Sequence, residues 1–227
     1  MGLIKPLQGI LFDFDGLIVD TESAIYQAWG EIHRELGLEL DLGFWSKYVG
    51  KSIEETDPVG ELLDSLGDNI DRIEMKKRIS QVEEKHVSQT EILPGVQELI
   101  IKANTAGLKL GIVSSSDKDW IDLHLERLGL AAYFDDTATS DEVPRAKPDP
   151  MLYQLGLEKI GLKKEKVIVF EDSPNGVLAA KQAGLFCIAV PNPVTKMLQF
   201  DKNGGQPDLV LDSMTDFSLD PYLEEMT

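Results

Sequence analysis

The sequence predicts an α/β fold: a mostly parallel sheet with helices on both faces and a helical insertion after the first strand. Three observations carry this expectation. Short apolar runs recur along the chain, and from residue 94 they alternate with stretches of helical period. Residues 21 to 90 carry helical stripes and no strand signal. Polar and acidic residues follow the C-terminal ends of the apolar runs, which is where ligands sit in open sheets of this kind.

The first strand is read over Gly9–Phe14, from the apolar run Gly9-Ile10-Leu11-Phe12. Ile25, Trp29, Ile32 and Leu36 then recur at the spacing of an amphipathic helix that Gly37 stops. A second helix starts at Pro58 with Asp57 as N-cap, carries Leu62, Leu63 and Leu66, and ends near Gly67. A third carries Met75, Ile79, Val82 and His86. Residues 21–90 therefore read as an inserted helical domain, with 1–20 and 91–227 forming the sheet domain. Val96, Leu99 and Ile100 suit a helix ended by Gly107, and Leu108–Val113 is a strand. Asp117 caps a helix bearing Ile121, Leu125 and Leu128. Pro148–Ile160 reads as a helix, Val167–Phe170 as a strand, Pro174–Ala183 as a helix, and Phe186–Val190 and Leu209–Leu211 as strands. Asn203-Gly204-Gly205 reads as a turn, and the acidic end near Glu224-Glu225 as a tail.

Composition limits the function. The chain has 227 residues, a net charge of −18 and 42% hydrophobic residues, enough apolar content for a real core. The acidic balance argues against nucleic acid or an anionic membrane as partner, since both demand clustered Lys and Arg. It also repels a phosphate ester, so a phosphate site needs its own local positive charge. The single cysteine, Cys187, excludes an intramolecular disulfide and sits in an apolar strand-like run. His33, His86 and His124 form no ligand pair. No apolar run approaches the ~20 residues of a membrane span, and acids interrupt the first one, so the chain is expected to be cytoplasmic, with a monomer as the default assembly.

Four polar clusters follow strand-like runs: Asp13 with Asp15, Ser114-Ser115-Ser116, Lys147, and Glu171-Asp172. Bare carboxylates at strand ends are costly unless paired, which implies a cation or a reaction. Two acids after one strand and two after another suit a hard divalent ion such as Mg²⁺. Ser114 lies just before a helix start, where a hydroxyl and free N–H groups make an anion site. Lys147 supplies the fixed positive charge. Each piece has a plainer reading as a turn, a cap or a solvated lysine. Their joint occurrence, in order and each after a strand, favours chemistry.

The stretches Asp13-Phe14-Asp15-Gly16-Leu17-Ile18-Val19-Asp20-Thr21-Glu22, Val113-Ser114-Ser115-Ser116, Lys147-Pro148-Asp149-Pro150 and Phe170-Glu171-Asp172-Ser173-Pro174-Asn175-Gly176 resemble the motifs of the haloacid dehalogenase-like hydrolase superfamily. Within it, the chain is similar to the phosphatase and β-phosphoglucomutase-like subgroup. The resemblance implies a Rossmann-like core whose inserted helical domain is a cap that sets specificity. It implies that Asp13 attacks phosphorus and forms an aspartyl-phosphate, and that Asp15 is the general acid and base. Mg²⁺ would be held by Asp13, the Asp15 carbonyl and Asp172, with Glu171 nearby through water. Lys147 would hold the nucleophile and a phosphoryl oxygen, while Ser114 and Ser115 take another. The implied substrate is a small phosphorylated metabolite, in the sugar-phosphate class. Lys51, in Gly50-Lys51-Ser52, is a candidate substrate contact from the insertion.

Two other functions compete. A β-phosphoglucomutase-like mutase would carry a histidine where this chain has Ile25 and an arginine where it has Ile53. A non-catalytic binding protein on the same fold would have no need of the full motif set. Asp15 speaks against a haloacid dehalogenase, which usually lacks that acid.

Overall fold

The computed structural model describes residues 6–41, 45, 48, 57–67, 70–198, 200 and 205–223. Two compact units emerge: Met1–Asp20 with Glu91–Thr227, and Thr21–Thr90.

The larger unit is built on a six-stranded parallel sheet. Its strands are β1 (Gly9–Phe12), β2 (Lys109–Val113), β3 (Asp136–Ala138), β4 (Val167–Glu171), β5 (Phe186–Ala189) and β6 (Leu209–Val210). They lie in the order β3-β2-β1-β4-β5-β6. The chain order reverses between β1 and β4, and the C-terminal edge at such a switch point is the ligand crevice of doubly wound sheets. Phe12 is in register with Ile112 on one side and Phe170 on the other, so β1, β2 and β4 end side by side.

Strand side chains alternate between two cores, as the period-two pleat requires. Ile10, Phe12, Leu110, Ile112, Ile168 and Phe170 face one cluster, with Val96, Leu99, Ile100, Ile121 and Leu125 packed on them. Leu11, Val113, Val167 and Val169 face the other, against Leu152, Tyr153, Val177 and Ala180. Phe12 and Phe170 stack at 5.6 Å between centroids. Each fully buried Leu, Ile or Phe is worth about 1.5–3 kcal/mol, so both faces hold the sheet. Thus helices Val96–Thr105 and Lys118–Arg127 cover one face, and Met151–Ile160 and Pro174–Gln182 the other. Cys187 is buried in β5, and burial pushes its thiol well up, as befits an inert core residue.

The smaller unit holds α1 (Thr21–Glu35), α2 (Pro58–Leu66) and α3 (Arg72–Val87). In chain order the helices of the larger unit follow: α4 (Val96–Thr105), α5 (Lys118–Arg127), α6 (Met151–Ile160), α7 (Pro174–Gln182) and α8 (Asp220–Leu223). Asp57 and Asp71 cap α2 and α3 by accepting from backbone N–H groups one turn on. Trp29 Nε1 donates to Glu83 Oε1 at 2.7 Å, tying α1 to α3.

Four expectations need correction. The buried stripe of α1 runs through Thr21, Ala24, Ala28, Trp29, Ile32 and His33, while Ile25 and Leu36 are half-buried at its margin. On α3, Val87 takes the buried place assigned to His86, whose Nε2 instead meets Glu31 at 2.8 Å. The helix expected from Pro148 begins only at Met151. A residue before proline is barred from helical backbone, so Asp149 cannot be helical ahead of Pro150; it turns back on Ala146 instead. Strand β3 was not expected, since Asp136-Thr137-Ala138 is short and polar. Among the described residues, no helix is long and apolar enough to cross a membrane.

Candidate active site

The site grows from the strand ends. Asp13 follows β1 directly, and its N–H donates to Phe170 O, which keeps it in line with β4. Ser114 follows β2 and Glu171 ends β4. Lys147 arrives from the loop before α6, joined to Pro148 by a cis peptide. All four side chains are buried.

Lys147 is the hub. Its Nζ donates to Asp13 Oδ1 at 2.5 Å, Glu171 Oε1 at 2.6 Å and Val113 O at 2.7 Å. An ammonium has three protons, so none is left for a phosphoryl oxygen in this arrangement. Lys147 therefore holds Asp13 and Glu171 together and supplies their positive charge. Burial opposes its protonation, but Asp13 and Glu171 outweigh that and hold its pKa above the usual lysine value. Burial also raises the Asp13 carboxyl well above the usual carboxylate range; Lys147 pulls it down, and Glu171 and Asp15 push it further up.

Glu171 is fully buried and fully satisfied. Besides Lys147, Oε1 accepts from Tyr153 Oη at 2.7 Å. Oε2 accepts from the N–H groups of Asp172 and Ser173 and from Ser173 Oγ, at 3.1–3.3 Å. Room for this carboxylate exists only because residue 176 is glycine: a Cβ there would lie 1.8 Å from Oε1.

Asp172 Oδ2 accepts from Asn192 Nδ2 at 2.7 Å, and the same amide reaches Gly16 O at 3.3 Å. The Asn192 carbonyl in turn accepts from the N–H groups of Val194 and Thr195. Gly16 has φ +87°, and a Cβ there would lie 2.3 Å from Asp172 Oδ2. A glycine is needed for both the backbone angle and the close approach.

Asp15 is anchored through both oxygens. Ser116 Oγ donates to Oδ2 at 2.7 Å and Trp120 Nε1 to Oδ1 at 3.1 Å. Ser114 Oγ, expected as a phosphate ligand, lies 3.4 Å from Asp15 Oδ2 and accepts from Ser116 N at 3.0 Å. Ser115, half-buried in the same turn, makes none of these bonds. Lys51 lies outside the described residues.

A divalent cation fits this donor set. Asp13, Glu171 and Asp172 offer carboxylate oxygens within 4.8 Å of one another. Opposite ligands of an octahedral Mg²⁺ stand about 4.2 Å apart, at 2.1 Å each. Three buried carboxyl groups face one ammonium, so ionising all of them favours a further positive charge at this place. Asp13 Oδ2 is buried and accepts no hydrogen bond among the described residues.

Tyr153, Asn192 and Trp120 belong to the network but carry no sequence signal as site residues. Tyr153 reads as a core aromatic of α6. Asn192 sits in Pro191-Asn192-Pro193, which reads as a turn after β5. Trp120 reads as an apolar position of α5. Ser116 was visible in the serine cluster, but its bond to Asp15 was not.

A profile of the haloacid dehalogenase-like hydrolases matches residues 10–190. YhcW of Bacillus subtilis (strain 168), provisionally assigned as a phosphatase, is 36% identical over 220 residues, covering 97% of this chain and 98% of that protein. A phosphorylated carbohydrates phosphatase of Thermotoga maritima is 34% identical over 182 residues, covering 79% and 82%. A crystal structure from Thermotoga maritima, provisionally assigned as a β-phosphoglucomutase, superimposes with a TM-score of 0.76 at 27% identity and covers 96% of this chain and 97% of that one.

Proposed function

As a member of the haloacid dehalogenase-like hydrolases, the chain is a phosphoric monoester hydrolase, and we propose that it is a Mg²⁺-dependent phosphatase acting through an aspartyl-phosphate on Asp13. The observation that carries this reading is the Asp13 carboxylate. Lys147 holds Oδ1, while Oδ2 is buried and unpartnered beside two further acids. A buried carboxylate oxygen so placed calls for a positive charge, which a cation would supply.

Asp13, Asp172 and the Asp15 carbonyl would hold the cation, with Glu171 contributing its charge. When bound, the cation neutralises the phosphoryl oxygens that would otherwise repel an attacking carboxylate. One carboxylate oxygen of Asp13 forms the bond to phosphorus as the ester oxygen leaves with a proton from Asp15. Asp15 then takes a proton from the water that attacks the acyl phosphate, which regenerates Asp13 and releases inorganic phosphate. Ser114 and the Ser115 N–H are the donors proposed for a phosphoryl oxygen. The substrate is proposed to be a small phosphorylated metabolite of the sugar-phosphate class, and the 21–90 unit to be the cap that selects it, with Lys51 as candidate contact.

The likeness to a provisional β-phosphoglucomutase keeps the mutase as second reading. Against it stand Ile25 and Ile53 at the positions where the mutases carry polar groups. Phosphate release from p-nitrophenyl phosphate, lost in EDTA and in Asp13→Asn, is the expected result. Release that survives both treatments overturns the proposal. Conversion of β-glucose 1-phosphate to glucose 6-phosphate favours the mutase.

A further inference from the structure

Asp15 is held by side chains that the proposed chemistry does not use. One hydrogen bond to a carboxylate leaves it free to rotate about its own axis; two donors on opposite oxygens do not. Here Trp120 Nε1 is the donor to Oδ1, while Ser116 Oγ at 2.7 Å and, at a longer 3.4 Å, Ser114 Oγ donate to Oδ2. The indole is itself fixed. Trp120 stands edge-on to His124 with 4.3 Å between ring centroids, and its N–H is aimed by its place in the first turn of α5, where Asp117 caps the Trp120 backbone N–H. His124 is buried, and Arg127 Nε donates to its Nδ1 at 3.2 Å. Burial first and Arg127 second hold the His124 ring below its usual pKa, against the opposite pull of Asp15.

We propose that Trp120 is a positioning residue for Asp15: its indole N–H, with the Ser116 hydroxyl, sets the carboxyl rotamer from which the proton reaches the leaving oxygen. This rests on the phosphatase reading and deepens it. A tryptophan suits the task because its only polar atom is a donor. It can bind either protonation state of the acid through Oδ1 without competing for the proton. As the ester P–O bond breaks, the proton moves from Asp15 to the departing oxygen, and Trp120 neither gains nor loses one.

The test compares kcat/KM for p-nitrophenyl phosphate and phenyl phosphate, with Mg²⁺, in wild type, Trp120→Phe and Ser116→Ala. Phenyl phosphate has the more basic leaving group and needs the proton more. Phenylalanine keeps an aromatic ring beside His124 and removes the N–H together with part of the indole, a loss of packing that weighs equally on both esters. General acid assistance is worth about 10²–10⁴-fold in all, so a mis-set acid should cost Trp120→Phe about tenfold more on phenyl phosphate than on p-nitrophenyl phosphate. Ser116→Ala should show the same skew. In an Asp15→Asn background, Trp120→Phe should add no further loss, since there is no acid left to position. Equal losses on both esters, no loss, or an additive loss in Asp15→Asn overturn the inference while leaving the phosphatase reading intact. If Trp120→Phe does not fold, Ser116→Ala alone decides by the same skew. A folded wild type that hydrolyses neither ester overturns both.

Discussion

Replacing Gly176 with alanine sets two effects of opposite sign against each other. Gly176 lies in the first turn of α7, where alanine is the better helix former by about 1 kcal/mol; propensity alone predicts a more stable protein. The new methyl, however, would lie 1.8 Å from Glu171 Oε1, 1.9 Å from its Cδ and 2.1 Å from Oε2. These are backbone-anchored overlaps with a fully buried carboxylate. To reach an ordinary contact of about 3.3 Å or more, the carboxylate must shift by over an ångström. The bonds from Lys147 at 2.6 Å and Tyr153 at 2.7 Å then break. Leaving a buried charge without its partners costs about 3–5 kcal/mol, several times the helix gain. At about 2–4 °C per kcal/mol for a chain of this length, the net loss of about 2–4 kcal/mol should lower the melting temperature of the larger unit by about 4–16 °C. Thermal unfolding followed by circular dichroism reads this out. Glu171→Asp withdraws the carboxylate by one methylene, so the double variant should lose less than the two single losses added. A Gly176→Ala protein as stable as wild type, or more so, refutes the packing argument.

Three further outcomes follow from the same structure. Asn192→Ala removes the donor on Asp172 Oδ2 and should weaken Mg²⁺ binding by about 10–100-fold, the usual cost of losing a partner of a metal ligand; calorimetric titration of the free protein checks it, and an unchanged affinity contradicts the ligand role of Asp172. Tyr153→Phe deletes one hydrogen bond to the charged Glu171, which should cost about 1.5–3 kcal/mol in denaturant unfolding while the fold persists; no measurable loss would show that water or Lys147 takes over. Glu83→Gln should alter the pH dependence of the smaller unit. Burial raises the Glu83 carboxyl, against the opposing pull of the Trp29 N–H. Above the ordinary glutamate pKa of about 4.3, the unfolded chain gives up a proton that the folded one keeps, so wild-type stability falls as pH rises to the folded pKa. Glutamine can still accept from Trp29 Nε1, so the variant should gain on wild type above that window and match it in acid; fluorescence melts in a Trp120→Phe background, where the remaining tryptophans lie in the smaller unit, with a pH-independent difference would contradict this.

The three strand-end clusters, Asp13 with Asp15, Ser114–Ser116 and Glu171-Asp172, were legible because each is a local event, whereas Lys147 lies in the loop before α6 and not at the end of a strand as expected. An apolar run that stops at an acid or a hydroxyl marks both the strand and the place where a ligand can be met. Helix caps at Asp57 and Asp117 and the stop at Gly37 were legible for the same reason, since capping spans only a few residues. Short strand β3 was not, having no apolar run to announce it.

By itself, then, the amino-acid order determined the family and the layered α/β core, and it singled out Asp13, Asp15, Ser114, Lys147, Glu171 and Asp172 as candidates. Tertiary structure alone decided how their hydrogen bonds are spent. It exhausted the protons of Lys147, satisfied both oxygens of Glu171 and left Asp13 Oδ2 bare. It also brought in Trp120, Tyr153 and Asn192, which pair with acids 105, 18 and 20 positions away. Such pairings depend on strand register and helix packing, and a side chain that serves them has the same local pattern as one that merely fills the core.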